Sequence, residues 1–207
     1  MGLLKKAMET YNKDYAYNLY TSYTEKPKSV LKKYNSKNDF LYKVIELTGE
    51  PSSSRDYFIV SNCLLDLGID HIHSALKTIY LYACLGSYLE GSPDDVFDTA
   101  NYEKHRKNMI NGAEWEKIGK EHEKNYDFNS ALICYLKAFL LTPYIETPIF
   151  YIADLYTKMN NIDDGIVFLS NIKKSKYKNM KQAASEKMKE LKDKKDRGYV
   201  YRPRPRK

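Results

Sequence analysis

The residue types best suited to chemistry here are four histidines, three cysteines and a few paired carboxylates. His71-x-His73, with Asp66, Asp70 and Cys63 close in sequence, is the one cluster of metal-like composition. On a helix, side chains at i and i+2 point about 200° apart, so these imidazoles could share an ion only in an irregular turn, and no metal is expected. Cys134 has no adjacent histidine or basic residue to activate it. Asp94-Asp95 and Asp163-Asp164 read as helix-start and turn carboxylates, which suit the positive end of a helix dipole. The sequence has no glycine-rich phosphate loop, no Gly-x-Ser-x-Gly and no His-Glu-x-x-His. The expectation is a non-enzymatic chain with no catalytic residue and no cofactor.

Charge offers more. The net charge of +7 is unevenly spread over the 207 residues. Residues 173–207 hold 15 Lys/Arg against 4 Asp/Glu, and residues 1–38 hold 8 against 3. The middle, 39–172, is left with 11 basic and 20 acidic residues, a net of −9. Basic ends on an acidic body suit an anionic partner at the ends, and they are equally what solvated Lys-rich helices look like. In the tail, Arg202, Arg204, Arg206 and Lys207 could hold phosphates while Tyr199 and Tyr201 stack on bases, a salt-sensitive and sequence-tolerant mode.

These residues must be positioned by helices. Glycine and proline are few, at nine and seven, and alternating strand-like runs are scarce, which predicts an all-α fold. Of 28 aromatics, 20 are tyrosine, so the interior should be lined by amphipathic rings. Cys63, Cys84 and Cys134 are an odd number without a CxxC pair and read as buried thiols in a reducing compartment. The longest apolar runs are too short to span a bilayer, and the first residues lack both the pattern of a signal peptide and, with Lys6, a myristoylation motif. A cytoplasmic protein without membrane contact is expected.

Four regions follow. Residues 1–50 form a basic, Tyr-rich helical segment, with a helix over Leu3–Tyr23, a break at Lys26-Pro27, and a short helix around Phe40, Leu41, Val44 and Ile45 that ends at Gly49. Residues 51–111 hold a helix pair, begun by Ser53 as N-cap with Asp56 three residues on and turned at Gly68-Ile69-Asp70. A connecting helix follows, opened by Ser92-Pro93 and ended by Asn111-Gly112. Residues 112–196 carry two clear helix pairs, turned at 125–129 and 160–164, and a last helix over Lys178–Asp196. The basic Arg/Pro tail, 197–207, is held extended by its prolines.

Within 113–143 the small and apolar residues are Trp115, Ile118, Gly119, His122, Ala131, Tyr135 and Ala138, closed by Pro143. Adding 34 gives Ile149, Ile152, Ala153, Tyr156, Gly165, Leu169 and Ile172, with size kept at each slot. This resembles the tetratricopeptide repeat, whose signature Trp-x2-Leu-Gly-x2-Tyr, Ala-x3-Phe, Pro recurs about every 34 residues. Residues 51–89 match it loosely, through Ser74-Ala75-Leu76 and Ile79, with Leu64 in the glycine slot. The resemblance implies a short solenoid of antiparallel helix pairs, degenerate at its N-terminal end and capped by the last helix. It further implies an adaptor that binds a protein or peptide in a concave groove. Carried over by position, the groove residues are Glu116, Lys117, Lys120, Glu123 and Lys124, then Phe150, Tyr151, Asp154, Thr157 and Lys158. Members that bind chaperones clamp a terminal carboxylate with Lys and Asn. Glu116 and Lys120 stand at those first-unit positions, which argues against that role. A nucleic-acid-associated helical protein that uses its basic C-terminal helix and tail is the alternative.

Overall fold

The computed structural model describes residues 2–85 and 99–203. Among the described residues there are ten α-helices, one short 3-10 turn and no strand. The helices pack in neighbouring pairs and divide into two compact units, Met1–Tyr82 and Ala83–Lys207. No helix among the described residues is long and apolar enough to cross a membrane. The helix start expected at Ser92-Pro93 lies outside the described residues.

The first unit contains α1 (Gly2–Glu25), α2 (Pro27–Leu31), α3 (Lys37–Thr48), α4 (Ser54–Leu67), the 3-10 turn Ile69–His71 and most of α5 (Ile72–Leu85). Pro27 ends α1 as its ring requires and opens α2 at the first helical position. The Ser36 side chain caps α3, and Gly49 closes it at φ +59°. Ala16, Tyr20, Phe40, Leu41, Val44, Ile59 and Cys63 bring α1, α3 and α4 into one core. Beyond that core α1 runs on uncovered, leaving Leu4, Met8 and Tyr11 between 60% and 71% exposed.

Ser53 and Asp56 form a complete capping box at the start of α4, as their spacing predicts. Asp56 is also reached by Lys13 of α1, at 3.1 Å, so the cap ties two helices together. Burial pushes the Asp56 carboxyl up, but the Ser52 amide, the Lys13 ammonium and the Ser53 hydroxyl outweigh it and hold it below the ordinary carboxylate range.

The second unit contains α6 (Thr99–Lys124), α7 (Phe128–Leu141), α8 (Thr147–Lys158), α9 (Ile162–Ile172) and α10 (Lys178–Asp196). Each packs on the next in order, and α10 also touches α8. The two turns share one geometry at a separation of 34 residues. Tyr126 and Asn160 both adopt the left-handed region, at φ +61° and +56°. The amides of Asp127 and Asn161 donate to the carbonyls of His122 and Tyr156, at 2.9 and 2.8 Å. Those of Tyr126 and Asn160 donate to Glu123 and Thr157, at 3.0 and 3.1 Å. Asp127 and Asn161 then cap α7 and α9 by accepting from Ser130 and Asp164.

Small residues set how closely these helices approach. A Cβ on Gly119 would fall 2.5 Å from Cε1 of Tyr135, and one on Gly165 would fall 2.9 Å from Leu191. Slots 34 residues on from the first pair are filled as expected, with Ile149, Ile152, Ala153, Leu169 and Ile172 fully buried.

Four expectations need correction. Asn111-Gly112 does not end a helix, because α6 runs straight through it. Gly112 serves packing there, since its missing Cβ would lie 3.2 Å from Thr142, the C-cap of α7. Ile118 is 43% exposed, whereas Ile152 at the equivalent slot is buried. The difference follows from cover: α8 is flanked by α7, α9 and α10, while α6 packs chiefly along α7. Cys84 is exposed on the last turn of α5, unlike the buried Cys63 and Cys134. Thr157, expected to face outward, is buried, and its hydroxyl donates to the Ala153 carbonyl.

Gly119→Ala should destabilise the protein by about 1–3 kcal/mol in urea unfolding, because the clash with a fixed ring exceeds the helix-propensity gain of about 1 kcal/mol. Asp56→Asn should cost about 1–3 kcal/mol at pH 7. A depressed folded pKa contributes stability above the unfolded value of about 3.9 and loses it as pH falls through the lower folded value. The deficit of Asp56→Asn should therefore be full at pH 7 and shrink below about pH 4, as read from urea midpoints at both pH values.

Candidate functional site: the face shared by α6 and α8

Tyr135 of α7 is the centre of this face. Its ring lies against the Gly119 backbone and stacks on Tyr151 of α8, with centroids 5.0 Å apart and planes at 30°. Its hydroxyl donates to Glu123 Oε2 of α6 at 2.6 Å. Glu123 takes a second donor, the Lys158 ammonium of α8, on its other oxygen. Burial, helped by the Glu123 carboxylate, pushes the Tyr135 phenol far above its ordinary value, so it remains a donor at any ordinary pH.

Lys120 lies over the outer face of this stack, its Nζ 4.5 Å from the Tyr151 centroid. Hydrogen bonding to Tyr151 holds Lys120 above the ordinary lysine range. One turn back, half-buried Glu116 is pushed up by burial, with Lys120 partly opposing. Asp154 of α8 accepts from Lys187 of α10 at 2.6 Å, and Lys187 is shared with Glu190 at 2.7 Å. Burial works against the Lys187 charge, but its bonds to Asp154 and Glu190 outweigh it and raise its pKa.

Of the residues named from sequence, Lys120, Tyr151 and Lys158 are brought together with Glu123. Asp154 is turned to α10, Lys124 pairs with Glu121 at 2.7 Å, and Lys117 is exposed on the same helix. The patch thus holds an ordered ammonium on a tyrosine shelf, with the carboxylate beneath it already satisfied by two donors. It can receive an anionic or π-rich group at Lys120, and it can exchange no proton near neutrality through Tyr135.

Sequence reasoning missed the pairing of Glu123 with Lys158. The signal was a separation of 35 residues, one more than the 34-residue recurrence, which sets charges of successive helix pairs side by side. His122, at one of the small and apolar positions of the first pair, bonds Asp127 at 3.0 Å and so braces the cap of α7. The Ser130 side chain, aided by its amide and by His122, holds the Asp127 carboxyl low.

The other residues with chemical potential are placed apart. Burial pushes the Cys134 thiol up, the opposite of nucleophile activation. His71 meets the Tyr42 hydroxyl at 3.3 Å, Asp66 faces Lys37 at 3.6 Å, and Cys63 is in the first core. Among the described residues no group of three or more His, Cys, Asp or Glu is arranged to hold a metal ion.

The tail folds back. Gly198, at φ +64°, turns the chain beyond α10, and Tyr199 lies beneath Lys194, 5.8 Å from its ring centroid. The Tyr201 amide donates to Asn160 Oδ1 at 2.7 Å, and Asn160 Nδ2 donates back to the Tyr201 carbonyl at 3.3 Å. The Tyr201 ring meets Phe128 edge-on at 6.3 Å. Both tail tyrosines are therefore engaged within the unit, while Arg202 is exposed and Arg204, Arg206 and Lys207 lie outside the described residues.

Comparison with known proteins gives no match: no family model, curated protein or solved structure corresponds to this chain.

Asn160→Gly keeps a residue that tolerates the turn but removes both bonds to Tyr201. It should leave the thermal midpoint within a few degrees while increasing hydrogen exchange at the Tyr201 amide at least about tenfold, the factor that about 1.4 kcal/mol of lost protection would give.

Proposed function

We propose that the second unit is a tetratricopeptide-like, non-enzymatic interaction module that binds a protein partner along the face shared by α6 and α8. The observation that carries this reading is the turn geometry recurring at 34 residues, in backbone dihedrals, hydrogen bonds and caps alike. That period matches the repeat family, and stacked helix pairs of this kind present the first helix of each pair to a partner. In this reading α10 covers the last pair, as terminal repeats require.

The face supports an extended peptide carrying a carboxylate and an apolar or aromatic side chain. Lys120 and Lys117 would take the carboxylate, and the Tyr151 ring with half-buried Phe150 would flank the side chain. Because Tyr151 is stacked and Lys120 is held over it before binding, little ordering remains to be done when a peptide docks.

The test is capture of co-purifying proteins on the full chain, followed by the same capture with Lys120→Glu. Lys120 is exposed, so its change should leave circular dichroism and the urea midpoint unchanged. Charge reversal at the centre of an interface should weaken binding by about tenfold to a hundredfold. Retention of the same partner at unchanged affinity with both Lys117→Glu and Lys120→Glu would place the site elsewhere.

A further inference from the structure

We propose that the solvent face of α10 is a surface for the phosphate backbone of nucleic acid, independent of the α6–α8 face. One side of α10 is fixed in the unit: Met180, Ala183, Ala184 and Leu191 are buried, and Lys187 reaches Asp154. The opposite side carries Lys178, Lys181, Lys189 and Lys192, all exposed. At about 100° per residue these four fall within about 80° of one another, in a row about 21 Å long. Among the described residues no carboxylate is within ion-pair distance of any of them. Glu186, at the flank, is engaged by Gln182 at 3.0 Å, and the exposed Asp193 and Asp196 stand beside and beyond the far end.

A terminal helix needs a polar outer face to stay soluble, and that need is met by any mixture of polar side chains. It does not call for one sign of charge. Like charges three residues apart, as at Lys178/Lys181 and Lys189/Lys192, cost stability on an isolated helix. Their sign also opposes the net −9 of residues 39–172. Lys173, Lys174 and Lys176, exposed in the turn before α10, extend the basic strip at its start.

The geometry favours a nucleic-acid backbone over the other polyanions. Between the four lysines the face presents Ser185 and no exposed apolar side chain that could enter a bilayer. Duplex DNA offers one phosphate charge per 1.7 Å or so of its axis, counting both strands, so a row about 21 Å long spans several phosphates whatever the base sequence. The row itself offers contact to phosphates and none to bases, and Tyr201 of the following segment is engaged by Asn160 and Phe128.

The experiment is fluorescence anisotropy of the full chain with a labelled 25-base-pair duplex of arbitrary sequence, across 50–200 mM salt. Four phosphate contacts should contribute about −3.6 to the slope of log K against log salt. Lys178, Lys181, Lys189 and Lys192 changed together to Gln should flatten the slope by about that amount. A control with Lys5, Lys6, Lys32 and Lys33 changed to Gln, equal in charge and likewise exposed, should leave it within about one unit of the parent. An unchanged slope in the α10 variant overturns the proposal, and so does equal flattening in the control. Equal binding to vesicles with anionic lipid, or equal competition by polyglutamate at matched charge, overturns the assignment to nucleic acid. Circular dichroism confirms that each variant is folded.

Discussion

Tyr135 is held on four sides, and the second unit is built around that constraint. Gly119 leaves room for its ring, Tyr151 stacks on its face, Glu123 accepts a hydrogen bond from its hydroxyl and α7 supplies its backbone. A large side chain in a tightly packed site fixes its neighbours as well as itself. The ring sets the distance between α6 and α7, its hydroxyl sets the rotamer of Glu123, and Glu123 in turn draws Lys158 of α8 across. Lys120 is ordered only because Tyr151 is, and Tyr151 is ordered because it lies on Tyr135. A hydrogen bond to a carboxylate in partly buried surroundings is among the stronger neutral-to-charged contacts. Here it couples three helices through one phenol.

Much of the helical layout was legible because it rests on local signals. Ser53 with Asp56, Pro27, Gly49 and the limits of α10 act through the backbone within a few residues, and sequence spacing shows them directly. The 34-residue recurrence was legible for the same reason: small, large and turn residues recur at fixed offsets. Asn111-Gly112 misled because glycine has two uses. It can release the backbone for a turn, or it can remove a side chain from a helix contact, and only the neighbour, Thr142, decides which. Ile118 misled because a repeat slot predicts burial only where a neighbouring helix exists to cover it. The site was half legible. Position in the 34-residue recurrence named Lys120, Tyr151 and Lys158, but not that Glu123 joins them, nor that Asp154 is drawn away by Lys187, since both depend on which helix lies beside which.

The charges are partitioned by face as well as along the chain. On the α6–α8 side several carboxylates are paired: Glu123 with Lys158, Asp154 with Lys187 of α10, and Glu121 with Lys124. On the solvent side of α10, Lys178, Lys181, Lys189 and Lys192 have no carboxylate within ion-pair distance among the described residues, whereas Lys194 and Lys195 are paired with Glu190 and Asp163. Counts of basic and acidic residues conceal this, because paired and unpaired lysines weigh the same in them. What distinguishes them is that a paired ammonium contributes to local order, while an unpaired row creates a field that extends for about a Debye length, some 8 Å at physiological salt.

Asn160 joins the C-terminal segment to the turn between α8 and α9 by two hydrogen bonds to a single residue, Tyr201. That makes it a mechanical feature as well as a conformational one. A pull applied beyond Tyr201 is carried by those two bonds into the middle of the unit before it can peel the last turn of α10. The end of the chain is thus loaded at an internal turn, and α10 is shielded from tension for as long as one asparagine side chain holds.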